Sequence, residues 1–246
     1  MQTFYFTDPG KVRSHNEDSV AIISNDKKEF ILAIADGMGG HKAGEVASSI
    51  AIEQIKESFY NIETLGNKEE AIEWLRNIVK VINKKIFEYA KNNPESKGLG
   101  TTLVIALRTE DYILYGNIGD SSGYVIKNNT LHKVTKDHTY VGMLLNTGKI
   151  SEETAKNHPG KNLLTRALGA NDPIEIDIFD VDTSVKGLFL CSDGLTNMLT
   201  DEQIEKILNS DLPIEEAVVK LIKKANSRGG TDNISIAYLK KESGEQ

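Results

Sequence analysis

Three apolar runs in this chain begin or end beside an aspartate that has glycine next to it. In order they read FILAIADGMGG, LFLCSDGL and GGTDNISIAYL, and their aspartates are Asp36, Asp193 and Asp232. Carboxylates at strand ends are poorly placed for a core, whereas neighbouring glycines let carbonyl oxygens and waters approach a cation closely. The pattern therefore indicates a sheet protein with a Mg²⁺- or Mn²⁺-type centre that hydrolyses a phosphate compound.

The bulk composition excludes several classes of protein. The 246 residues, 39% hydrophobic and 26% charged, suit one large globular domain or two small ones. The single cysteine, Cys191, excludes an intrachain disulfide and favours a reducing, cytoplasmic location. The N-terminus lacks a secretory signal and no apolar run reaches the ~20 residues of a membrane span, so we expect no membrane insertion. A formal net charge of −7 argues against a nucleic-acid partner.

The hydrophobic pattern alternates between strands and helix pairs. It predicts strands near residues 3–7, 19–24, 29–35, 101–107, 112–118, 123–127, 130–134, 174–179, 187–191 and 234–239. It predicts helices from about residue 43, over about 71–89, and at 201–208 and 214–225. Short polar turns between residues 101 and 134 predict an antiparallel meander. The fold class is therefore α+β: a four-layer α-β-β-α sandwich of two mostly antiparallel sheets, each flanked by a helix pair.

One segment breaks this pattern. Residues from about His138 to Lys161 are polar, contain several glycines and show only short helical pieces. We interpret residues 138–161, the flap segment, as a mobile insertion beside the site, braced by His138. It interrupts a single domain of residues 1–240, and residues 241–246 are expected to form a frayed tail.

Eight short motifs follow one another along the chain. They are RSHNED at 13–18, ADGMGGHKAGEVAS at 35–48, GTT at 100–102, GDSSGY at 119–124, TKDHT at 135–139, LTRALG at 164–169, CSDGL at 191–195 and GGTDNIS at 229–235. Each is weak alone, since Asp-Gly is ordinary turn chemistry, but eight in this order form a specific signal. Together they resemble the metal-dependent protein phosphatase family, type 2C, in its bacterial branch. The α-β-β-α sandwich of that family agrees with the pattern above.

The resemblance implies metal-binding roles for four residues. Asp36 is similar to the aspartate that bridges two metal ions. Asp193 and Asp232 are similar to the aspartates that complete the ligands of the first ion. The carbonyl oxygen of Gly37 is similar to a ligand of the second ion. The implied cofactors are thus two Mn²⁺ or Mg²⁺ ions.

Further residues around this centre also match the family. Asp120 is similar to the aspartate that, in bacterial relatives, shares a third and weaker metal ion with Asp193. Glu17 and Asp18 resemble acidic residues that hold metal-bound waters, and His41 stands where some relatives have a histidine near the metal centre. The alternative, non-functional interpretations of the same residues are surface charges, a solvated histidine and, at Asp120, an ordinary tight turn.

Four more residues bear on substrate and leaving group. Arg13 resembles the arginine that binds the substrate phosphate, and Asn233 follows the last metal aspartate and is expected to position its loop. Met38 stands where many eukaryotic relatives have a histidine proposed as general acid. Because methionine cannot donate a proton, leaving-group protonation must come from elsewhere. Ser122 replaces an arginine usual in the family.

The implied activity is hydrolysis of phosphoserine and phosphothreonine in proteins, by direct attack of a water held between two metal ions and without a phosphoenzyme. The implied partners are phosphorylated proteins, including a cognate Ser/Thr kinase and its substrates, and we expect a monomer. Three alternatives stay open: a phosphatase for small-molecule or regulatory phosphates, a catalytically dead binding module, and a metal-dependent nuclease. An acidic chain without a basic groove fits the nuclease poorly.

Overall fold

Two antiparallel sheets pack face to face in the computed structural model, which describes residues 1–39, 43–96, 98–156 and 158–242. The strands are β1 (Gln2–Asp8), β2 (Asp18–Ser24), β3 (Phe30–Met38), β4 (Gly100–Thr101), β5 (Leu103–Arg108), β6 (Ile113–Ile118), β7 (Ser122–Lys127), β8 (Thr130–Lys133), β9 (Asp177–Val181), β10 (Gly187–Cys191) and β11 (Ile234–Lys240). One sheet has the order β1-β11-β10-β7-β8, and the other the order β2-β3-β5-β6-β9 with β4 paired to β3. We name them the β11 sheet and the β3 sheet.

Helices cover the outer face of each sheet. They are α1 (Ala43–Tyr60), α2 (Lys68–Asn92), α3 (Tyr140–Asn146), α4 (Glu152–Lys156), α5 (Asp193–Thr196), α6 (Asp201–Leu208) and α7 (Ile214–Ser227). The apolar faces of α1 and α2 pack on the β3 sheet, and those of α6 and α7 pack on the β11 sheet. Among the described residues, no helix is both long enough and apolar enough to cross a bilayer.

A third cluster of buried hydrophobic residues lies between the two sheets. Along β11, Ile236 and Tyr238 face the helices, whereas Ala237 and Leu239 face the β3 sheet, as the two-residue period of a strand requires. Both faces of β11 are therefore apolar, which explains its continuous hydrophobic sequence. The predicted four-layer α-β-β-α sandwich is confirmed.

Local sequence explains the limits of the longest helix. Asn67 accepts a hydrogen bond from the backbone N–H of Glu70 (3.0 Å), and the Glu70 carboxylate accepts one from the N–H of Asn67 (2.8 Å). This reciprocal cap starts α2. The helix ends at Asn92, two residues before Pro94, because proline disfavours helix at the residue preceding it.

The predicted meander is wrong at its centre. Strands β5 and β6 pair in the β3 sheet, but β7 and β8 pair in the β11 sheet, so the chain crosses between sheets at residues 119–121. Gly119 makes the crossing possible: its φ is +99°, and a Cβ there would lie 2.6 Å from the Cβ of Thr102. The strand predicted at 174–179 forms instead as β9, because Ile174 and Ile176 pack into the helix-side core.

The flap segment carries the short helices α3 and α4. Its base is closed by backbone hydrogen bonds from Tyr140 N–H to the Leu163 carbonyl and from Thr165 N–H to the His138 carbonyl, both 2.8 Å. At the other end of the fold, Lys241 N–H donates to the Lys186 carbonyl (2.8 Å), so the predicted frayed tail is ordered at its first residue. Residues 243–246 lie outside the described part of the chain.

Candidate metal centre

Carboxylates from five separate chain segments meet at one end of the sandwich. Asp18 begins β2 and stands in register with Asp36 on β3. Asp193 lies two residues beyond β10, and Asp232 lies two residues before β11, the antiparallel neighbour of β10. Asp120 comes from the crossing between the sheets. Four of these aspartates, all but Asp18, line a cavity of about 500 Å³, which we call the aspartate pocket.

Backbone hydrogen bonds fix Asp36 in place. Its N–H donates to the Thr102 hydroxyl (3.0 Å), and its carbonyl accepts from the Thr102 N–H and the Thr101 hydroxyl, both 2.9 Å. The Thr102 hydroxyl also shares a hydrogen bond with the hydroxyl of Ser121 (2.9 Å), which follows Asp120. The backbone of Asp36 is therefore linked through the Thr102 hydroxyl to Ser121, the neighbour of Asp120.

Gly37 occupies a position that tolerates no side chain. A Cβ there would lie 2.1 Å from the carbonyl oxygen of Gly44 in α1 and 2.5 Å from that of Glu17. The Gly37 N–H donates to the same Glu17 carbonyl (3.1 Å). Strand β3, the start of α1 and the N-terminal loop thus meet at backbone contact, which places Glu17 beside the pocket.

Asp18 is buried under the pocket, with only 8% of its surface exposed. Its Oδ2 accepts a hydrogen bond from the Ser192 hydroxyl (2.8 Å), while its Oδ1 has no hydrogen-bond partner among the described residues. Burial raises the pKa of Asp18 to about 7. A buried acceptor without a donor is costly unless a water or cation meets it.

The carboxylates raise one another's pKa values. Burial, and then the charges of neighbouring aspartates led by Asp18, raise the pKa of Asp36 well above its usual range. Burial and Asp232 raise the pKa of Asp193 to about 6, and burial and Asp193 raise that of Asp120 to about 7. Burial also raises the pKa of Glu17. Such a cluster disfavours its own ionised form and suits a bound cation.

One ion pair with the cluster is present in the described chain. The Arg13 guanidinium donates to Asp232 Oδ2 at 2.8 Å, and about half of the Arg13 side chain (51%) is exposed. Asp232 Oδ1 accepts the Asn233 N–H (2.9 Å), and Asp193 Oδ2 accepts the Asn197 side-chain amide (3.0 Å). Arg13, expected at the substrate phosphate, thus lies at the pocket but contacts an aspartate.

Asn233 joins the pocket to the N-terminal loop. It is buried, its amide nitrogen donates to the carbonyls of Pro9 and His15 (both 2.9 Å), and its Oδ1 accepts the Glu17 N–H (2.8 Å). These three bonds hold the segment that carries Arg13 and Glu17 against the start of β11.

His138 joins the flap segment to the Asp120 crossing. Its Nδ1 accepts the Gly119 N–H (3.2 Å), and its Nε2 lies 3.1 Å from Asp177 Oδ2. Asp177 also accepts a hydrogen bond from Arg166 (2.5 Å), a pocket-lining residue that the sequence did not single out. Burial, only partly offset by the bond to Asp177, lowers the pKa of His138. The brace expected at His138 is present, as a neutral imidazole.

Of three other residues singled out from the sequence, the structure describes two. Met38 lines the pocket in register with Gly100, where a Cβ would lie 2.7 Å from the Met38 Cε. Ser122 is buried in register with Cys191. His41 lies outside the described residues. Three residues that contact the aspartates were not singled out from the sequence: Ser192, Thr102 and Asn197. Ser192 lies within the CSDGL motif and Thr102 within the GTT motif.

Residues 11–233 match the sequence profile of the family described as Protein phosphatase 2C. The chain belongs to this family. It is 43% identical over 242 residues to the serine/threonine phosphatase stp of Listeria welshimeri, covering 98% of this chain and 96% of that protein. It is 34% identical to the protein phosphatase PhpP of Streptococcus pneumoniae, covering 97% of each.

Solved structures of bacterial phosphatases share the fold of this protein phosphatase 2C member. The serine/threonine phosphatase of S. agalactiae superposes with a TM-score of 0.93 at 32% identity, covering 98% of this chain and 99% of that one. Stp1 from Staphylococcus aureus gives a TM-score of 0.92 at 37% identity, covering 98% and 95%.

Protein phosphatase 2C enzymes depend on divalent metal ions, and the donor set of this chain fits such ions. In the described chain, no three His, Cys, Asp or Glu side chains form a ready metal-binding group. A Mg²⁺ ion, however, keeps several waters and uses only one or two carboxylates. Carboxylates facing an open cavity, with the partnerless Asp18 Oδ1 beneath them, suit a hydrated ion better than a closed protein cage.

Proposed function

We propose that this protein phosphatase 2C member is a Mn²⁺- or Mg²⁺-dependent protein serine/threonine phosphatase. The observation that carries the proposal is the convergence of Asp36, Asp120, Asp193 and Asp232 on one cavity, with a single ion-pair partner, Arg13, among the described residues. A purely structural cluster would be neutralised by neighbouring cations, because unpaired buried carboxylates destabilise a fold.

The family resemblance implies the roles of the residues, and their convergence on one cavity supports them. Asp36, Asp193, Asp232 and the Gly37 carbonyl would hold two ions, and Asp120 with Asp193 a third. Such ions supply positive charge for the phosphoryl oxygens and make water nucleophilic at neutral pH. Glu17 and Asp18 stand behind them as acceptors for waters, and Asn233 fixes the loop on which Glu17 lies.

Arg13 is placed to bind the phosphate of the substrate. Its planar guanidinium offers paired donors to phosphate oxygens. Because the side chain is half exposed, its ion pair with Asp232 is weak and can be exchanged for a phosphate at little cost. Arg166 lines the same pocket, but its guanidinium is engaged by Asp177 and by the Glu175 carbonyl (3.3 Å). Arg13 is therefore the more available cation.

Exposed apolar side chains at the mouth of the pocket support a protein substrate. Val12, next to Arg13, is 67% exposed, and Leu163, which lines the pocket, is 60% exposed. The residues flanking a phosphoserine or phosphothreonine in a protein would cover these two side chains more fully than a small phosphoester would. We infer that the substrates are phosphorylated proteins, among them a Ser/Thr kinase and its targets, and that the enzyme acts as a cytoplasmic monomer.

The test is phosphate release from a phosphothreonine peptide with Mn²⁺, with excess EDTA, and by an Asp36→Asn variant. Turnover should require both the metal ion and Asp36. The matched control is Asp26→Asn, which makes the same chemical change at an exposed hairpin position. A small phosphoester assayed in parallel separates a protein phosphatase from a small-molecule one.

Normal turnover by Asp36→Asn, or turnover that survives EDTA, would overturn the proposed centre. If folded, Mn²⁺-loaded wild-type protein hydrolysed neither substrate, the chain would be a binding module.

A further inference from the structure

A second cavity lies at the opposite ends of β10 and β11 from the aspartate pocket. Its volume is about 720 Å³, against about 500 Å³ for the aspartate pocket, and the two share no lining residue. Lys240 at the end of β11 lines it and stands in register with Gly187 at the start of β10. The connection between α6 and α7, residues 209–212, forms its wall. We call it the lysine cavity.

The cavity is built into the sheet. On the helix-covered face of this sheet, Phe189 pairs with Tyr238 across the strands, and both side chains are large. The terminal cross-strand pair on the same face is Gly187 with Lys240, and Gly187 has no side chain. A Cβ at Gly187 would lie 3.1 Å from the Tyr238 ring and 3.2 Å from the Ile126 Cδ1. Helix α6 has ended at Leu208, which also lines the cavity. Ile126, Leu208 and the Tyr238 ring therefore give the cavity one apolar side.

Tyr238 presents an unusual donor at this place. Only 2% of the residue is exposed, its side chain lines the cavity, and its hydroxyl has no hydrogen-bond partner among the described residues. The hydroxyl is not one of the buried partnerless polar atoms of the described residues, so it is open to the cavity. Burial raises the pKa of Tyr238 to about 12, so at neutral pH the hydroxyl keeps its proton. Its acceptor must come from the contents of the cavity.

Three lysines surround the same space. Lys240 lies two residues after Tyr238 on the same face of β11, and both Lys240 and Lys241 are half-buried without an ion pair among the described residues. Among the described residues, the Lys186 amine contacts the Asn129 side-chain oxygen alone (3.4 Å). Two carboxylates also line the cavity: Asp211, which is exposed, and Glu242, whose carboxylate lies 3.8 Å from the amino terminus. The lysines outnumber them in a chain whose net charge is −7.

We propose that the lysine cavity binds a small amphiphilic anion, a molecule that joins a flat apolar body to a carboxylate, sulfonate or phosphate group. The apolar body would lie on Ile126 and the Tyr238 ring over Gly187, and the anionic group would face Lys186 and Lys240. The Tyr238 hydroxyl would donate to an acceptor on the ligand. The volume lies within the range of roughly 300–1,000 Å³ usual for small-molecule sites.

A pair of fluorescent probes tests this proposal on the full chain with Mn²⁺ present. The first is 8-anilinonaphthalene-1-sulfonate, and the second is N-phenyl-1-naphthylamine, which has the same aromatic body without the sulfonate. We expect saturable binding of the sulfonate probe at one site per chain and much weaker binding of the neutral probe. Lys240→Met should weaken the sulfonate probe about tenfold, since a charge-assisted contact is lost. Tyr238→Phe should weaken it about threefold.

The matched control is Lys206→Met, which removes the same charge from an exposed position of α6 that does not line the cavity. Equal affinity of wild type and Lys240→Met, or equal binding of the two probes, would overturn the proposal. So would loss of the signal in Arg13→Leu instead, because that would place the probe in the aspartate pocket. If Lys240→Met unfolds, Lys186→Met serves in its place. Phosphatase activity is not the readout, so failure here leaves the proposed function untouched.

Discussion

The floor and the flap-side wall of the aspartate pocket are built in contrasting ways. On the floor, Asp36 is held by three hydrogen bonds from a neighbouring strand segment, and Gly37 is wedged at backbone contact. On the wall, Leu163 is 60% exposed and lies at the base of the flap segment, where its carbonyl accepts one of the two closing backbone bonds. Strands and their tight turns carry the charged groups, and a loop beside the flap segment carries the apolar surface.

The contrast separates chemistry from recognition. Under the proposed function every phosphoester must meet the floor, where Arg13 and the metal ions held by the carboxylates would act on the phosphate. A protein substrate would bury more of the wall than a small phosphoester would. Changes to the floor should therefore lower turnover of all substrates, whereas changes to the wall should affect phosphoproteins alone.

The largest effect is expected from Asp193→Asn on the floor. The change removes one carboxylate charge from the proposed ion site but keeps an oxygen that can accept the Asn197 hydrogen bond. We expect turnover of a phosphopeptide and of a small phosphoester to fall together, by at least about 10²-fold. Initial rates at saturating Mn²⁺ measure both.

Asp111→Asn, at an exposed turn between β5 and β6, is the matched control and should keep wild-type rates. A loss confined to the phosphopeptide would contradict the division between floor and wall, because it would make Asp193 a recognition residue.

Asn233→Ala should lower the stability of the pocket floor, because it releases the N-terminal loop from the start of β11. The buried amide makes three hydrogen bonds, to Pro9, His15 and Glu17, and its removal leaves their backbone groups unpaired. We expect a loss of about 2–4 kcal/mol in the free energy of unfolding, and lower turnover of both substrate types. Urea unfolding and initial rates measure the two effects.

Asn226→Ala is a useful comparison, because Asn226 tethers the same loop through one bond to Asp8 (3.0 Å). It should cost less stability and leave the rates unchanged. Equal effects of the two variants would mean that Asn233 acts only as a tether.

His138 connects floor and wall, and its protonation should loosen the connection. Its folded-state pKa is lowered, so the neutral form contributes stability at pH values above about 6.5, the unfolded value. As the pH falls below that value, the unfolded chain takes up a proton that the folded His138 resists, and stability is lost. The stability advantage of wild type over His138→Gln, on the order of 1 kcal/mol at pH 7.5, should therefore shrink toward pH 5.5.

Urea unfolding of both proteins across this pH range measures the difference, in which the other titrating groups cancel. His132→Gln, at an exposed position of β8, should show no such trend. A difference that stays constant with pH would show that His138 is not held neutral.

Sequence patterns predicted the layers of the fold better than the path between them. The apolar run of β11 and the helical period of α2 are local patterns, so both elements could be predicted from the sequence. The crossing at Gly119 could not be predicted. A short polar turn looks the same in the sequence whether the two flanking strands pair with each other or belong to different sheets. The contacts that fix the aspartates were missed because they are remote: Ser192 lies 174 residues from Asp18, and Thr102 lies 66 residues from Asp36.

The smallest effect is expected from Leu163→Ser on the wall. Because Leu163 is 60% exposed, replacing it should cost the free protein little stability. A bound phosphoprotein, however, would bury this side chain. Loss of that apolar contact should cost about 1 kcal/mol of binding, which raises KM for a phosphoprotein about fivefold and leaves kcat unchanged. KM for a small phosphoester should not change, and steady-state kinetics with both substrates measures the split.

Val81→Ser makes a comparable change at an exposed position of α2, far along the chain from the pocket-lining residues, and should leave both KM values at the wild-type level. If Leu163→Ser lowered kcat for the small phosphoester as well, the wall would contribute to the chemistry. The separation of floor from wall would then be wrong, because a side chain on the loop would be helping to arrange groups that the strands were inferred to hold on their own.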